Sequence, residues 1–105
     1  MHNDYRRYPR YSVSARALIT RRDESSPEKL TAQINTISQG GIGFYSNIFF
    51  GKSTPVTVEL LVDAFGRFEI FDGKIASICL QGEDYFVGIA FDEAISDDRF
   101  AAIFG

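Results

Sequence analysis

Short runs of alternating apolar and polar residues, separated by turn-rich stretches, constrain the fold of this chain most strongly. The clearest run covers residues 56–62, in which Val56, Val58, Leu60 and Val62 occupy every second position. A period of two places alternate side chains on one face of a half-buried strand. Similar runs recur at residues 12–20, 30–36, 43–48, 68–80 and 85–91. The pattern predicts about six short strands, of which the long fifth run forms one bent strand or two, with the bend at Gly73.

The stretches between these runs, RRDESSP, SQGG, GKSTP, AFGR and QGED, have the composition of turns and loops. The end of the chain differs, because Ser96 can cap a helix and the acidic residues after it favour the positive end of the helix dipole. Its apolar residues recur at helical spacing, at Phe100, Ile103 and Phe104. The sequence therefore predicts a closed or split antiparallel barrel, which hides strand edges, with one terminal helix.

Size and composition are those of one globular domain. The chain has 105 residues, of which 45% are hydrophobic and 24% charged, enough for one core. Cys79 is the only cysteine, so an intramolecular disulfide is excluded, and we expect this residue in the core. We expect no signal peptide, since no apolar run follows the N-terminal arginines, and no run approaches the ~20 apolar residues that span a bilayer. We therefore expect a cytoplasmic protein, or a domain of a larger protein.

The charge is distributed unevenly along the chain. Residues 1–22 carry six arginines and one aspartate, whereas residues 23–105 carry five basic and thirteen acidic side chains. The first segment has a charge of +5 and the second −8, which together give the net charge of −3. A basic end on an acidic body favours a local anion site over a broad nucleic-acid surface.

The basic segment RRYPR places two arginines four residues apart, at Arg6 and Arg10. Pro9 disfavours a helix and favours an extended chain, in which both side chains point the same way, ~13 Å apart. Each guanidinium can hold a phosphate or read the edge of a guanine. The neighbouring tyrosines suit stacking on bases. On these residues alone, a frayed basic terminus that only aids solubility remains an open alternative.

A second stretch, INTISQGGIGF at residues 34–44, offers a hydroxyl at Ser38 and unobstructed backbone at Gly40 and Gly41. It is not a phosphate loop, since no Lys-Ser or Lys-Thr pair follows, and it lacks the spacing of a dinucleotide fingerprint. Taken alone, the stretch is more typical of a structural turn than of a ligand site.

Together the two stretches resemble the PilZ family of bacterial cyclic di-GMP receptors. The family has an R-x-x-x-R arm, matched here by RRYPR at residues 6–10, and then [D/N]-x-S-x-x-G, matched by TISQGG at residues 36–41. The run YFVGIAF at residues 85–91 is similar to the family's last strand. The resemblance covers essentially the whole chain. It implies an all-β fold: a six-stranded antiparallel split β-barrel with a short C-terminal α-helix at residues 12–105, preceded by a flexible arginine-rich arm at residues 1–11.

The resemblance also implies cyclic di-GMP as the ligand. The residues that it places at the ligand are Arg6, Arg7, Arg10, Thr36, Ser38, Gly40 and Gly41. Thr36 departs from the family, which usually has Asp or Asn there to hydrogen-bond a guanine edge. Losing one such contact costs ~1–3 kcal/mol, which is about one to two decades in affinity. The neighbouring Asn35 points to the opposite face of a regular strand, unless a bulge re-aims it.

The implied mechanism is a receptor that acts as an adaptor. Ligand binding folds the arm onto the barrel, and an unidentified protein effector reads the new surface. The family's usual settings are motility, adhesion and exopolysaccharide production. We expect a monomer or weak dimer that binds neither DNA nor membranes.

Two other classes of function remain open alternatives. The first is a degenerate PilZ-type interaction module that does not bind the nucleotide, which Thr36 favours and the two retained arginines and Ser38 disfavour. The second is a single-stranded nucleic-acid binder with a basic aromatic arm. We do not expect an enzyme, a metal site or a redox cofactor. His2 lies at the terminus, Cys79 lies in an apolar run, and the acidic pairs have no His or Cys partner that would complete a metal site.

Overall fold

The computed structural model describes residues 8–23, 25, 29–62 and 65–104. Six strands and one helix follow one another along the chain. Their bounds are β1 Tyr11–Arg21, β2 Lys29–Ser38, β3 Gly41–Ser46, β4 Pro55–Leu61, β5 Phe68–Gln81, β6 Asp84–Phe91 and α1 Asp97–Phe104. Each predicted strand and the predicted helix is present, and most bounds differ from the prediction by only one or two residues.

The six strands form a closed barrel in the order β1-β2-β3-β6-β5-β4, and β4 pairs in turn with β1. Every neighbouring pair is antiparallel. The predicted six-stranded antiparallel barrel with a C-terminal helix is therefore confirmed. Because the ring closes, backbone hydrogen bonds cover the strand edges that an open sheet would expose.

The inward residues of the alternating runs form the core. Val56, Val58 and Leu60 are at most 1% exposed, as their spacing in β4 predicts. Two large rings, Phe44 and Phe50, pack edge to face inside the barrel with centroids 6.0 Å apart. Burial of such side chains contributes about 1.5–3 kcal/mol each, so this core supplies the main stabilisation of the domain.

The pairing of neighbouring strands shifts in register at three places. Two of these shifts change which side chains point to the outer face of the barrel. In β2, Ile34 pairs with Phe44 and Thr36 pairs with Gly43, so Asn35 is an extra residue relative to β3. Ile34 and Ile37 are both buried, and therefore the two residues between them share the outer face. The sequence could not show whether such a bulge was present.

The second shift lies in β5, where Ala76 is the extra residue relative to β6. It reverses the alternation of the strand: Ile75 is buried, Ile78 packs against the core, and Cys79 is exposed. The expectation that Cys79 lies in the core is therefore wrong, because the bulge turns it outward. The strand continues through Gly73, the predicted bend, as a single element.

The C-terminal helix α1 begins as its sequence predicts. The Ser96 hydroxyl accepts a hydrogen bond from the Arg99 backbone N–H at 3.2 Å, which caps the first turn. The Arg99 guanidinium lies 4.7 Å from the Phe71 ring centroid and donates to Glu69 at 3.1 Å, which ties the helix to β5. The apolar residues of α1 pack against the core, namely Phe100, Ile103 and Phe104. Within the described ranges, no helix has the length and apolar character needed to cross a bilayer.

Candidate ligand-binding site

A pocket of about 280 Å³ opens on the outer face of the barrel, over neighbouring strands β2, β3, β6 and β5. Strand register places four residues in one cross-strand row there: Thr36 pairs with Gly43, Gly43 with Gly88, and Gly88 with Ser77. We call this row the pocket floor. Its two central members have no side chain, which lets neighbouring side chains approach the backbone of β3 and β6 closely.

Two hydroxyl groups lie beside the two glycines of the pocket floor. A Cβ atom built on Gly43 would lie 2.6 Å from Thr36 Oγ1, and one built on Gly88 would lie 2.5 Å from Ser77 Oγ. These separations are shorter than real Cβ contacts, so the hydroxyls occupy space that any side chain at either glycine would need. The pocket floor therefore carries a hydrogen-bonding hydroxyl group at each side of its two glycines.

The two bulges bring these hydroxyls to the outer face. Thr36 follows the extra residue Asn35 in β2, and Ser77 follows the extra residue Ala76 in β5. Bulges commonly re-aim side chains beside binding sites. Asn35 is partly exposed but does not line the pocket, whereas Thr36 and Ala76 do. Of the two residues at the bulge in β2, Thr36 is therefore the one that faces the pocket.

The turn between β2 and β3 forms a second wall, and its polar groups bond both to one another and to the end of β6. Ser38 is 4% exposed, and its hydroxyl accepts a hydrogen bond from the Gly40 N–H at 3.1 Å. The Gly40 carbonyl accepts from the Phe91 N–H at 2.9 Å. Gly41 passes so close to the Ile89 carbonyl that a Cβ there would collide with it. This turn is thus held firmly against β6.

The same turn is bonded to the approach to α1. The Gln39 amide donates to the Ile95 carbonyl at 2.9 Å and to Asp97 Oδ1 at 2.8 Å. The Gln39 carbonyl accepts from the Ile95 N–H at 2.7 Å. A displacement of the turn would therefore also displace Asp97, the first residue of α1.

Two residues where the chain enters β1, Arg10 and Tyr11, lie beside the pocket and the helix, respectively. Arg10 is exposed and lines the pocket. The next residue, Tyr11, pairs with Ile37 of β2, and its ring lies 5.9 Å from that of Phe100 in α1. Arg10 supplies positive charge to a pocket that is otherwise lined by neutral residues.

The structure brings together four of the seven residues predicted to bind the ligand: Arg10, Thr36, Ser38 and Gly41 all line the pocket. Gly40 lies in the adjoining turn, where its N–H bonds to Ser38. Arg6 and Arg7 lie outside the described residues, so their positions stay predictions.

The sequence did not predict eight of the residues that line the pocket, although one signal could have found two of them. These eight residues are Ile37, Ile42, Gly43, Ala76, Ser77, Phe86, Gly88 and Ile89. A glycine inside a strand often marks a close approach of a ligand or another backbone, and both Gly43 and Gly88 interrupt apolar runs. Ser77 and Phe86 gave no such signal, since their place depends on strand pairing.

Within residues 8–23, 25, 29–62 and 65–104, no group of three or more His, Cys, Asp or Glu side chains could hold a metal ion. The pocket itself offers one guanidinium, hydroxyls and backbone groups. It suits an anionic ligand with hydrogen-bonding edges.

Comparison with known proteins assigns the family. The PilZ domain model matches residues 4–103, which is nearly the whole chain. The chain belongs to the PilZ family. The resemblance inferred from the two motifs is therefore confirmed. A comparison with curated proteins gave no match.

Solved structures share the fold of this PilZ domain. The Bacillus subtilis inhibitor of motility MotI/DgrA has a TM-score of 0.71 at 14% identity, covering 98% of this chain and 49% of that one. The PilZ domain of Escherichia coli YcgR with c-di-GMP has a TM-score of 0.67 at 17% identity, covering 92% and 84%. The K. pneumonia MrkH–c-di-GMP complex has a TM-score of 0.63 at 18% identity, covering 94% and 48%. The chain thus spans about half the length of MotI/DgrA and of MrkH.

Proposed function

We propose that this PilZ domain is a receptor for cyclic di-GMP that acts on a protein partner. The observation that carries the proposal is the convergence of Arg10 with Thr36, Ser38 and Gly41 around one pocket. The two motifs lie 26 residues apart in the sequence, from Arg10 to Thr36, and strand pairing between β1 and β2 makes them neighbours.

The chemistry of the pocket suits a guanine dinucleotide. Arg10 can hold a phosphate bidentately or donate to the O6 and N7 atoms of a guanine. Thr36 and Ser77 offer hydroxyls that can donate to or accept from a base edge. The Phe86 ring, which lies against Gly43 and lines the pocket, offers an aromatic surface on which a flat base can pack.

The arm at residues 1–11 completes the proposed site. We expect Arg6 and Arg7 to bind the ligand from the side facing solvent, so that the arm folds over the pocket on binding. Tyr11 and Gln39 both contact α1 or the segment before it, and they provide two routes from the site to the helix. The output is the combined surface of arm, ligand and barrel, which an effector protein reads.

The exposed thiol of Cys79 fits a reducing compartment, and we therefore place the receptor in the cytoplasm. We expect receptor function without catalysis, since PilZ domains are receptor modules rather than enzymes.

One observation favours a second candidate function. Thr36 stands where the family usually has Asp or Asn, and the bulge does not bring Asn35 into the pocket. This substitution is what we would expect in a PilZ domain that no longer binds the nucleotide but still binds a protein partner.

A competition experiment tests the proposed function. Fluorescently labelled cyclic di-GMP is bound to the full chain and displaced with unlabelled cyclic di-GMP, GMP or a single-stranded oligonucleotide. A receptor responds to the cyclic dinucleotide at far lower concentration than to the other two. Displacement by oligonucleotides of any base composition, with a steep loss of binding in salt, would instead indicate a single-stranded nucleic-acid binder. No binding of the labelled ligand would favour the degenerate module.

A further inference from the structure

The barrel closes, but one end of β5 extends beyond its neighbour β4. Strand β5 has 14 residues and β4 only seven, and their pairing ends where Pro55 meets Lys74. The next residue, Ile75, makes two backbone bonds, of 2.8 and 3.0 Å, to the loop before β4. In the part of the chain that the structure describes, no backbone hydrogen bond joins residues 77–81 to any segment other than β6. We call residues 77–81 the free edge.

The free edge lacks the charged residues and prolines by which proteins usually protect an unpaired strand. Its sequence is SICLQ. All five residues keep a regular register with β6, because the bulge at Ala76 lies before them. Leu80 is 64% exposed, and Cys79 is exposed as well. An exposed and uncharged strand edge offers its backbone donors and acceptors to another strand.

The side chains of the free edge are complementary to those of a second copy. Ile78 packs against the core and Leu80 alternates onto the same face, whereas Cys79 lies between them on the outer face. Antiparallel pairing about a two-fold axis at Cys79 puts Ile78 of one copy opposite Leu80 of the other. It also puts Ser77 opposite Gln81. Each apolar side chain then meets an apolar one, and each polar side chain a polar one.

The charges beyond the two ends of the free edge are complementary in the same arrangement. The acidic residues Glu83 and Asp84 follow one end, and Lys52 lies near the other, in the loop before β4. All three are exposed, and no ion pair involves them within the described ranges. The acidic residue of β5 on the lysine side, Asp72, already pairs with Arg22 at 3.8 Å. Antiparallel pairing brings the acidic turn of each copy to the lysine loop of the other.

We propose that two copies of this chain associate by antiparallel pairing of their free edges about a two-fold axis at Cys79. The two sheets become continuous across the interface. Because the pairing covers both free edges, it leaves none for a third copy, and the assembly closes as a dimer. Only five residues of each strand are paired, so the contact is small and the dimer weak. This inference does not rest on the proposed function, and its test uses the protein without cyclic di-GMP.

Disulfide trapping tests the register of the dimer. Opposite residues of an antiparallel pair have Cα atoms ~4.5–5.5 Å apart, within reach of a disulfide. Diamide, which takes up the two thiol hydrogen atoms, should therefore link two native chains through Cys79. Two comparison proteins carry Cys79→Ser together with either Ser77→Cys or Ile70→Cys. The two copies of residue 77 would lie four residues apart, ~13 Å, too far for a disulfide. Ile70, an outward residue of β5 that is 58% exposed, measures random collision.

The native chain should be trapped about tenfold faster than either comparison protein, since pairing raises the effective concentration of its two thiols. Equal rates for the native chain and the Ile70→Cys protein would overturn the proposal, and so would faster trapping of the Ser77→Cys protein.

Sedimentation velocity over a range of protein concentrations tests the interface without a covalent link. We expect a monomer–dimer equilibrium with no larger species. Cys79→Lys puts two lysines opposite each other at the axis and should weaken dimerisation by about tenfold or more, while Ile70→Lys changes it by less than about twofold. Glu83→Lys and Lys52→Glu should each weaken the dimer, and the double variant should restore it. The proposal is rejected by a strictly monomeric or open-ended wild type, by equal effects of Cys79→Lys and Ile70→Lys, or by a double variant no tighter than the single ones.

Discussion

Gly43 and Gly88 are cross-strand partners at the centre of the pocket, on strands that lie far apart in the sequence. Thr36 and Ser77 continue the same row on either side. The pocket therefore exists because two adjacent strands each lack a side chain at the same level, while bulges in the flanking strands place hydroxyls beside the gap.

The missing side chain at Gly88, on the pocket floor, predicts the effect of Gly88→Ala. The new methyl group would stand 2.5 Å from Ser77 Oγ, a flexible exposed group that can rotate away. We expect the free energy of unfolding to fall by less than about 1 kcal/mol and the affinity for cyclic di-GMP to fall by about tenfold. Chemical denaturation and calorimetry measure the two effects. Gly51→Ala, whose Cβ comes no closer than 3.3 Å to Thr54 Oγ1, is the control for both. Unchanged affinity in Gly88→Ala would place the ligand elsewhere.

Because Thr36 departs from the Asp or Asn usual in the family, a variant with the usual residue should bind cyclic di-GMP more tightly. Thr36→Asn supplies the amide usual in the family at a position that faces the pocket. One additional paired contact to a guanine edge is worth ~1–3 kcal/mol, so affinity for cyclic di-GMP should rise by about tenfold or more. The matched control is Thr31→Asn, an exposed threonine of the same strand. An equal affinity in Thr36→Asn and the wild type would show that this residue does not contact the base.

The buried hydroxyl of Ser38 predicts a loss of stability. It accepts the Gly40 N–H at 3.1 Å, and Ser38→Ala leaves that buried donor without its partner. We expect the free energy of unfolding, measured in urea, to fall by about 1–3 kcal/mol. Ser25→Ala, in the exposed loop after β1, should change it by less than about 0.5 kcal/mol. Equal stability of the two variants would mean that Ser38 acts only on the ligand.

The link between the turn and α1 predicts a change in hydrogen exchange. Gln39→Ala removes the bonds from its side chain to Ile95 and Asp97. If one net hydrogen bond of ~1 kcal/mol is lost, the amides of α1 should exchange about fivefold faster. Gln33→Ala removes only an exposed bond to Ser14 and should leave α1 unchanged. Identical exchange of α1 in both variants would contradict a route from the turn to the helix.

Most of the fold could be predicted from the sequence because alternation and helical spacing are local patterns. The four alternating apolar residues at 56–62 predicted β4, and Ser96 predicted the start of α1. The outward position of Cys79 could not be predicted, since it depends on the extra residue Ala76, and only the pairing of β5 with β6 reveals that bulge.

The site residues that belong to linear sequence motifs could be predicted. The site residues that only strand pairing brings together could not. Arg10, Thr36, Ser38 and Gly41 belong to two motifs, and the structure brings them to one pocket. The match of Gly43 with Gly88 joins residues 45 positions apart, and nothing in the sequence specifies that register.

A calorimetric titration of cyclic di-GMP into the purified chain, with Arg10→Ala and Arg16→Ala in parallel, tests the receptor claim most directly. Arg10 lines the pocket, whereas Arg16 is an exposed arginine of β1 away from it. We expect micromolar or tighter binding in the wild type. Arg10→Ala should weaken it by about one to two decades, because a hydrogen bond to a charged group is worth about 1.5–3 kcal/mol. Arg16→Ala should match the wild type. No heat of binding in the wild type at several temperatures, or equal binding in Arg10→Ala, would contradict the account.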